Sequence, residues 1–177
     1  MPTNTAAPQA SAEFYPPIDQ FKEQITKKFF GAYITPQNSP VQPERFKGYH
    51  TGVDVEYKDV TADVPVYALA DGKIVYSGWV SGYGGVFMIE FNLNDSPHTA
   101  LYGHIRPSSL PPKNKAVTKG EKLAVLGTGY THETDGERRH LHFAILSNSR
   151  IDLLGYVQQK SQLSGWIDPL TLEYAQQ

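Results

Sequence analysis

Cysteine is absent from the 177-residue sequence. That excludes disulfides and every metal site built on thiolates. Charge of one sign is also lacking: 16 basic residues against 18 acidic ones leave a net charge near −2. So balanced a chain carries no electrostatic footprint for nucleic acid. No apolar run approaches the roughly 20 residues of a membrane-spanning helix. Residues 1–16 are polar and proline-bearing, without the apolar stretch of a secretory signal peptide, and read as a disordered tail or tether. What is present suffices for one domain over residues 17–177, because 40% hydrophobic content can fill a core.

Thirteen prolines, 15 glycines and 11 tyrosines favour short strands and turns over a helical bundle. Strand-like runs cover residues 64–70, 73–80, 85–92, 99–104, 122–127 and 141–147. Asp71-Gly72 predicts a tight hairpin turn between the first two runs, and Gly82-Tyr83-Gly84-Gly85 a second glycine turn. One amphipathic helix is expected where Ile18, Phe21, Ile25 and Phe29 recur at helical spacing. Asp168-Pro169 predicts a C-terminal helical turn, with Asp168 as its cap. The expected fold is all-β, mostly antiparallel, with a short N-terminal helix.

The chemistry concentrates in His140-Leu141-His142 and, far upstream, in His50-Thr51-Gly52-Val53-Asp54. Side chains two apart on a strand share a face. Leu141, Phe143 and Ile145 therefore face one way, and His140 and His142 the other. His50, Asp54 and His142 supply two imidazoles and one carboxylate. Three such ligands leave a fourth position open, which is the pattern of catalytic zinc, and zinc ionises water near pH ~7. The donor set suits zinc better than calcium or magnesium, although the same trio holds iron in other settings. No His-Glu-x-x-His sequence supplies a glutamate base. His140, one strand step from His142, and His104 are the candidates for proton transfer and oxyanion stabilisation. A His-x-His pair also arises by chance, and His98 and His132 read as solvated bystanders in loops.

Taken together these stretches resemble the lysostaphin/LytM-type zinc metallopeptidases of bacterial cell walls. The likeness runs from about Tyr49 to Phe143. It is carried by His50-Thr51-Gly52-Val53-Asp54, Val64-Pro65-Val66-Tyr67-Ala68, Ala70-Asp71-Gly72-Lys73-Ile74-Val75, Gly82-Tyr83-Gly84-Gly85, Tyr102-Gly103-His104-Ile105, Val117-Thr118-Lys119-Gly120 and His140-Leu141-His142-Phe143. A shorter echo follows at Asp168-Pro169-Leu170. The resemblance implies one Zn2+ per chain on His50, Asp54 and His142, with His104 and His140 catalytic. It implies an endopeptidase cutting a peptide bond in the stem or cross-bridge of peptidoglycan, working outside the cytoplasm as a monomer. With no export signal visible, the polar tail is read as having followed a removed signal or anchor. Some members of that family have lost ligands and activate other wall enzymes, whereas every polar position is kept here.

Departures from the family pattern fall on the rim. The approach to His140 is long and charged, from Gly127 to Arg139, and Ala144 stands where the family often has an acid. The segment from Pro36 to Tyr49, with Pro43-Glu44-Arg45-Phe46, is also unusual. Arg138 and Arg139 are therefore candidates for binding substrate carboxylates, and Tyr102, two residues before His104, for lining the cleft. Two other readings stay open: a non-catalytic wall-binding regulator, and a zinc peptidase directed at another short peptide.

Overall fold

The computed structural model describes residues 14–58 and 60–176. In chain order its strands are β1 (Tyr33–Ile34), β2 (Gly48–His50), β3 (Val53–Glu56), β4 (Pro65–Tyr67), β5 (Gly72–Val80), β6 (Gly84–Leu93), β7 (Ser96–Ile105), β8 (Ala116–Val117), β9 (Lys122–Val125), β10 (His140–Leu146), β11 (Tyr156–Val157) and β12 (Trp166–Ile167). The main sheet runs β12-β10-β7-β6-β5-β8, and β3 also pairs with β10. The pairings are antiparallel, and two smaller sheets, β1-β2-β11 and β4-β9, flank it. The expected all-β architecture is thus present.

Alternation along the strands sorts the two faces of the main sheet. Val53, Val55, Phe87, Ile89, Ala100, Tyr102, Leu141, Phe143 and Ile145 pack into one core. The opposite face carries a smaller apolar cluster that includes Val86, Met88, Leu101, Ala144 and Leu146. On that second face the polar residues of β3 and β10 take over. Gly52 lets the β2–β3 turn approach β10: a Cβ there would lie 2.3 Å from the Phe143 carbonyl oxygen.

Two local expectations change. No helix forms over residues 18–29. Gln20 takes a left-handed φ of 51°, and Gln24 N–H donates to the Gln20 carbonyl to close a turn. The chain then runs along β3, whose Asp54 and Glu56 N–H groups donate to the carbonyls of Lys28 and Gln24. An open strand edge needs backbone partners, which a helix cannot supply. Ile18, Phe21 and Ile25 are buried as the spacing suggested, but Phe29 is exposed. Second, Asp71-Gly72 joins no hairpin, because β4 pairs with β9 while β5 pairs with β6 and β8. Gly72 serves close strand approach instead, since a Cβ would meet the Glu90 carbonyl oxygen at 2.3 Å. The expected tail, residues 1–16, lies outside the described residues except for its last three. Of these, Phe14 is 2% exposed and bridges to Tyr174.

The glycine turn at Gly82-Tyr83-Gly84 joins β5 to β6, with φ of 91° at Gly82 and 75° at Gly84. The C-terminal turn is a short 3-10 segment, Pro169–Thr171, capped by Asp168, whose side chain accepts from Leu170 N–H. Among the described residues no helix is long and apolar enough to cross a membrane.

Candidate active site

The site is assembled from the neighbouring strands β3, β10 and β7 and from the end of β2. β3 and β10 are paired so that His142 lies opposite Asp54 and His140 opposite Glu56. β7 pairs on the other side of β10, with Gly103 opposite His142. His50 ends β2, and its N–H donates to the Ala32 carbonyl. All of His50, Asp54, His104, His140 and His142 are buried.

His104 reaches the site through an irregularity. The β6–β7 register pairs Val86 with Gly103 but Gly85 with Ile105, so His104 is an extra residue on β7. Its φ of 63° is left-handed. Such a bulge breaks period-two alternation and re-aims one side chain. As a result Tyr102 and His104 do not share a face. Tyr102 is 0% exposed, stacks on Phe87 and accepts from Leu69 N–H through its hydroxyl. The expected place of Tyr102 in the cleft is therefore corrected: it belongs to the core.

Three donor atoms form a nearly equilateral triangle. His50 Nε2 lies 3.1 Å from His142 Nδ1 and 3.2 Å from Asp54 Oδ1, and the latter two are 3.1 Å apart. Tetrahedral zinc with bonds of about 2.0–2.1 Å spaces its ligand atoms roughly 3.3–3.4 Å apart, so the trio fits that ion with little adjustment. His50 Nδ1 donates to the Phe29 carbonyl at 3.2 Å, which leaves Nε2 of the neutral ring bare and turned inward. Two imidazole nitrogens and a carboxylate oxygen drawn this close together form a donor set suited to one shared cation. The triad is thus compatible with one zinc ion.

Beside it, the rings of His104 and His140 stand 4.1 Å apart. His140 Nδ1 donates to the Arg138 carbonyl at 2.9 Å, and its Nε2 is 3.4 Å from Asp54 Oδ2. His104 hydrogen-bonds the Thr134 backbone, while its Nδ1 is buried with no partner among the described residues. A cavity of about 280 Å³ opens over these groups, lined also by Phe46, Gly82, Tyr83 and residues 153–156, with Phe46 stacked on Tyr156 at 5.6 Å. Tyr83 packs against the rings of His104 and His142 at 5.4 and 5.3 Å. Its hydroxyl is buried without a partner among the described residues.

Charge at the site is set by burial and by Arg138. Burial alone would raise the Asp54 carboxyl, but the facing imidazoles of His140 and His50 and the Arg138 guanidinium hold it well below the usual carboxylate range. Burial pushes His104 down to about 3, and holds His140 well below and His142 below an ordinary imidazole. A ring that stays neutral in the fold, yet protonates near pH 6.5 once unfolded, favours the unfolded chain as the pH drops. Stability from these rings is complete above about pH 6.5 and disappears toward the folded values; Asp54 acts in the same direction below about pH 3.9. The metal-free protein should therefore melt at steadily lower temperature from pH 7 to pH 4. Equal melting temperatures at pH 7 and pH 5 would show that these rings are not held neutral in the fold.

The charged approach to β10 is tied down by ion pairs and hydrogen bonds. Asp135 Oδ2 accepts from Gly82 N–H at 2.6 Å and pairs with Arg45 at 3.2 Å, and Glu137 pairs with Arg45 at 2.7 Å. Arg138 and Arg139 are 4% and 9% exposed. Arg139 points away from the cavity and donates to the carbonyls of Val60 and Ala62, so its proposed contact with substrate is corrected. Arg138 lines the cavity, but its donors go to Glu56 and Asp54. A guanidinium without a partner is costly to bury, and these two carboxylates supply that partner. Of the two bystanders, His132 is exposed and stacks on Trp79 at 4.9 Å, and His98 is half-buried near the start of β7. Nothing local in the sequence marks Lys28, Glu56 or Tyr156 as site residues. Lys28 donates to Tyr156 Oη at 2.9 Å and to Glu44 at 2.5 Å, and the Tyr156 ring lies 5.1 Å from that of His50. The two contacts made by Tyr156 each span more than a hundred residues.

Known proteins share this fold and part of this sequence. The chain is 35% identical to the glycyl-glycine endopeptidase ALE-1 of Staphylococcus capitis over 103 residues, which are 58% of this chain and 26% of that protein. It is equally similar to lysostaphin of Staphylococcus simulans, over 58% of this chain and 19% of that one. The shared stretch thus spans about a quarter or less of these relatives. A zinc-containing peptidase from Vibrio cholerae superimposes with a TM-score of 0.55 at 26% identity, covering 81% of this chain and 41% of that structure. The family model described as Peptidase family M23 matches residues 48–153, which hold the triangle of ligand atoms and both neighbouring histidines, and the chain belongs to that family.

Proposed function

We propose that this domain is a zinc-dependent endopeptidase that hydrolyses a peptide bond in the stem or cross-bridge of peptidoglycan. The observation that carries the reading is the triangle of His50, Asp54 and His142 with the His104–His140 pair beside it, under one cavity. The metal would be held by those three residues and would supply Lewis acidity, bringing the ionisation of water to near pH 7.

The remaining work falls to the chain's own side chains. His140, anchored through Nδ1, presents a bare Nε2, and His104 presents a bare Nδ1. Either nitrogen can take the proton of the attacking water as its oxygen bonds to the scissile carbonyl carbon. At 4.1 Å the two rings cannot both be charged without strong repulsion, so the pair holds one proton at a time. That proton passes to the amine nitrogen as the carbon–nitrogen bond breaks. Burial pushes the Tyr83 phenol far up, so its hydroxyl stays protonated as a donor for the charge that develops on the carbonyl oxygen.

All five polar residues come from one chain, which supports action as a monomer. The substrate lies outside the cytoplasmic membrane, so the domain works there. That the similar ALE-1 is a glycyl-glycine endopeptidase supports peptide cleavage. Zinc-loaded protein incubated with purified sacculi and with soluble peptides should release fragments with new amine and carboxylate ends, and a chelator should stop it. Binding to sacculi without any fragment would replace the proposal with a wall-binding regulator. Cleavage confined to soluble peptides would move the target away from the wall.

A further inference from the structure

Glu56 and Arg138 stand next to the metal triad without belonging to it. Their side chains are 9% and 4% exposed. Arg138 Nε donates to both Glu56 oxygens, at 3.1 and 2.9 Å, and Nη2 donates to Glu56 Oε1 at 2.7 Å. The same Nη2 donates to Asp54 Oδ2 at 2.7 Å. The guanidinium fork is thus held in plane by one carboxylate while it directs an N–H at another.

The two oxygens of Asp54 consequently have different surroundings. Oδ1 faces His50 and His142, whereas Oδ2 is occupied by Arg138. Swinging both oxygens toward one cation would break a short charge-assisted bond. The backbone of Arg138 also contributes, because its carbonyl accepts from His140 Nδ1. One residue therefore orients the anionic ligand through its side chain and a neighbouring histidine through its carbonyl.

We propose that Arg138, clamped by Glu56, is a positioning residue that holds Asp54 as a one-oxygen ligand and so sets the coordination of the metal centre. This rests on the zinc-peptidase reading above. Glu56 and Arg138 are neutral as a pair, so they leave the net charge of the site unchanged and add direction to it. Fold stability does not account for them, since apolar side chains of similar volume stabilise a buried position as well or better.

The test uses Arg138→Gln and the apolar double variant Glu56→Met/Arg138→Met, with zinc and cobalt(II) as probes. Zinc affinity, read by competition with a chromophoric chelator, should fall about 10–100-fold in both, the usual effect of losing an outer-shell partner. Arg138→Lys should recover only part of it, because an ammonium cannot bind Glu56 and Asp54 as a fork. In the cobalt(II) proteins the ligand-field bands should weaken as Asp54 takes up its second oxygen and the coordination number rises. The double variant should melt, metal-free, no lower than the parent, which separates positioning from folding. A folded double variant with parental zinc affinity and cobalt spectrum would overturn the proposal. If the parent itself holds zinc no better than His142→Ala, the zinc reading fails as well, which distinguishes the two failures.

Discussion

Asp54→Asn should leave the protein folded but nearly free of zinc, with hydrolysis at background. Asp54 is the one anion among the three ligands, and its Oδ1 is within 3.1–3.2 Å of both ligating nitrogens. Asparagine keeps the shape and can still accept from Arg138 through its oxygen. It then offers the cation either an amide nitrogen, which does not ligate, or an oxygen without charge. The Arg138 guanidinium, 2.7 Å from Oδ2 in the parent, would add its own positive charge next to the cation with less to balance it. At an effective dielectric near 20, a unit charge about 4 Å away is worth roughly 4 kcal/mol, so a loss of ~10³-fold in zinc affinity is expected. His142→Ala should behave alike for a different reason, the loss of a nitrogen ligand. Metal content after dialysis, with melting curves to confirm the fold, decides the matter. Full zinc occupancy in both variants would remove them from the ligand set.

Replacing His140 or His104 by alanine should give the opposite division: zinc retained, turnover reduced by about 10²–10⁴-fold. Neither ring is within the triangle of ligand atoms, and both present bare nitrogens at the cavity. Because the pair holds one proton, the double variant should cost little more than the worse single one. Residues that act as a unit are non-additive in this way. The Michaelis constant should change less than turnover, since neither ring is assigned to ground-state binding. Steady-state kinetics on a defined muropeptide, with metal content measured in parallel, tests each point. A single variant at the parental rate would remove that histidine from proton transfer, and fully multiplicative losses would show that the two act independently.

Residue order alone settled a good deal here. The alternation of β10 places His140 and His142 opposite Leu141, Phe143 and Ile145, and β3 places Asp54 opposite Val53 and Val55. Period-two alternation is a property of the local backbone, so it survives whatever lies next to the strand. The same holds for the turn at Gly82-Tyr83-Gly84, whose left-handed angles are a glycine signal, and for the cap at Asp168. The all-β class and the His50–Asp54–His142 cluster were legible for that reason.

What sequence could not decide was set by distant chain. The helical spacing of Ile18, Phe21 and Ile25 is real, yet the exposed edge of β3 claims the following residues as backbone partners. Tyr102 and His104 are separated by two, yet a bulge against Gly85 and Val86 puts one in the core and the other in the site. Arg138 and Arg139 look alike in a charged loop, but Glu56 and Asp54 take the first, and the carbonyls of Val60 and Ala62 the second. Each of these outcomes depends on which backbone edge or buried charge lies opposite. That neighbour comes from another part of the chain, and only folding brings it within hydrogen-bonding reach.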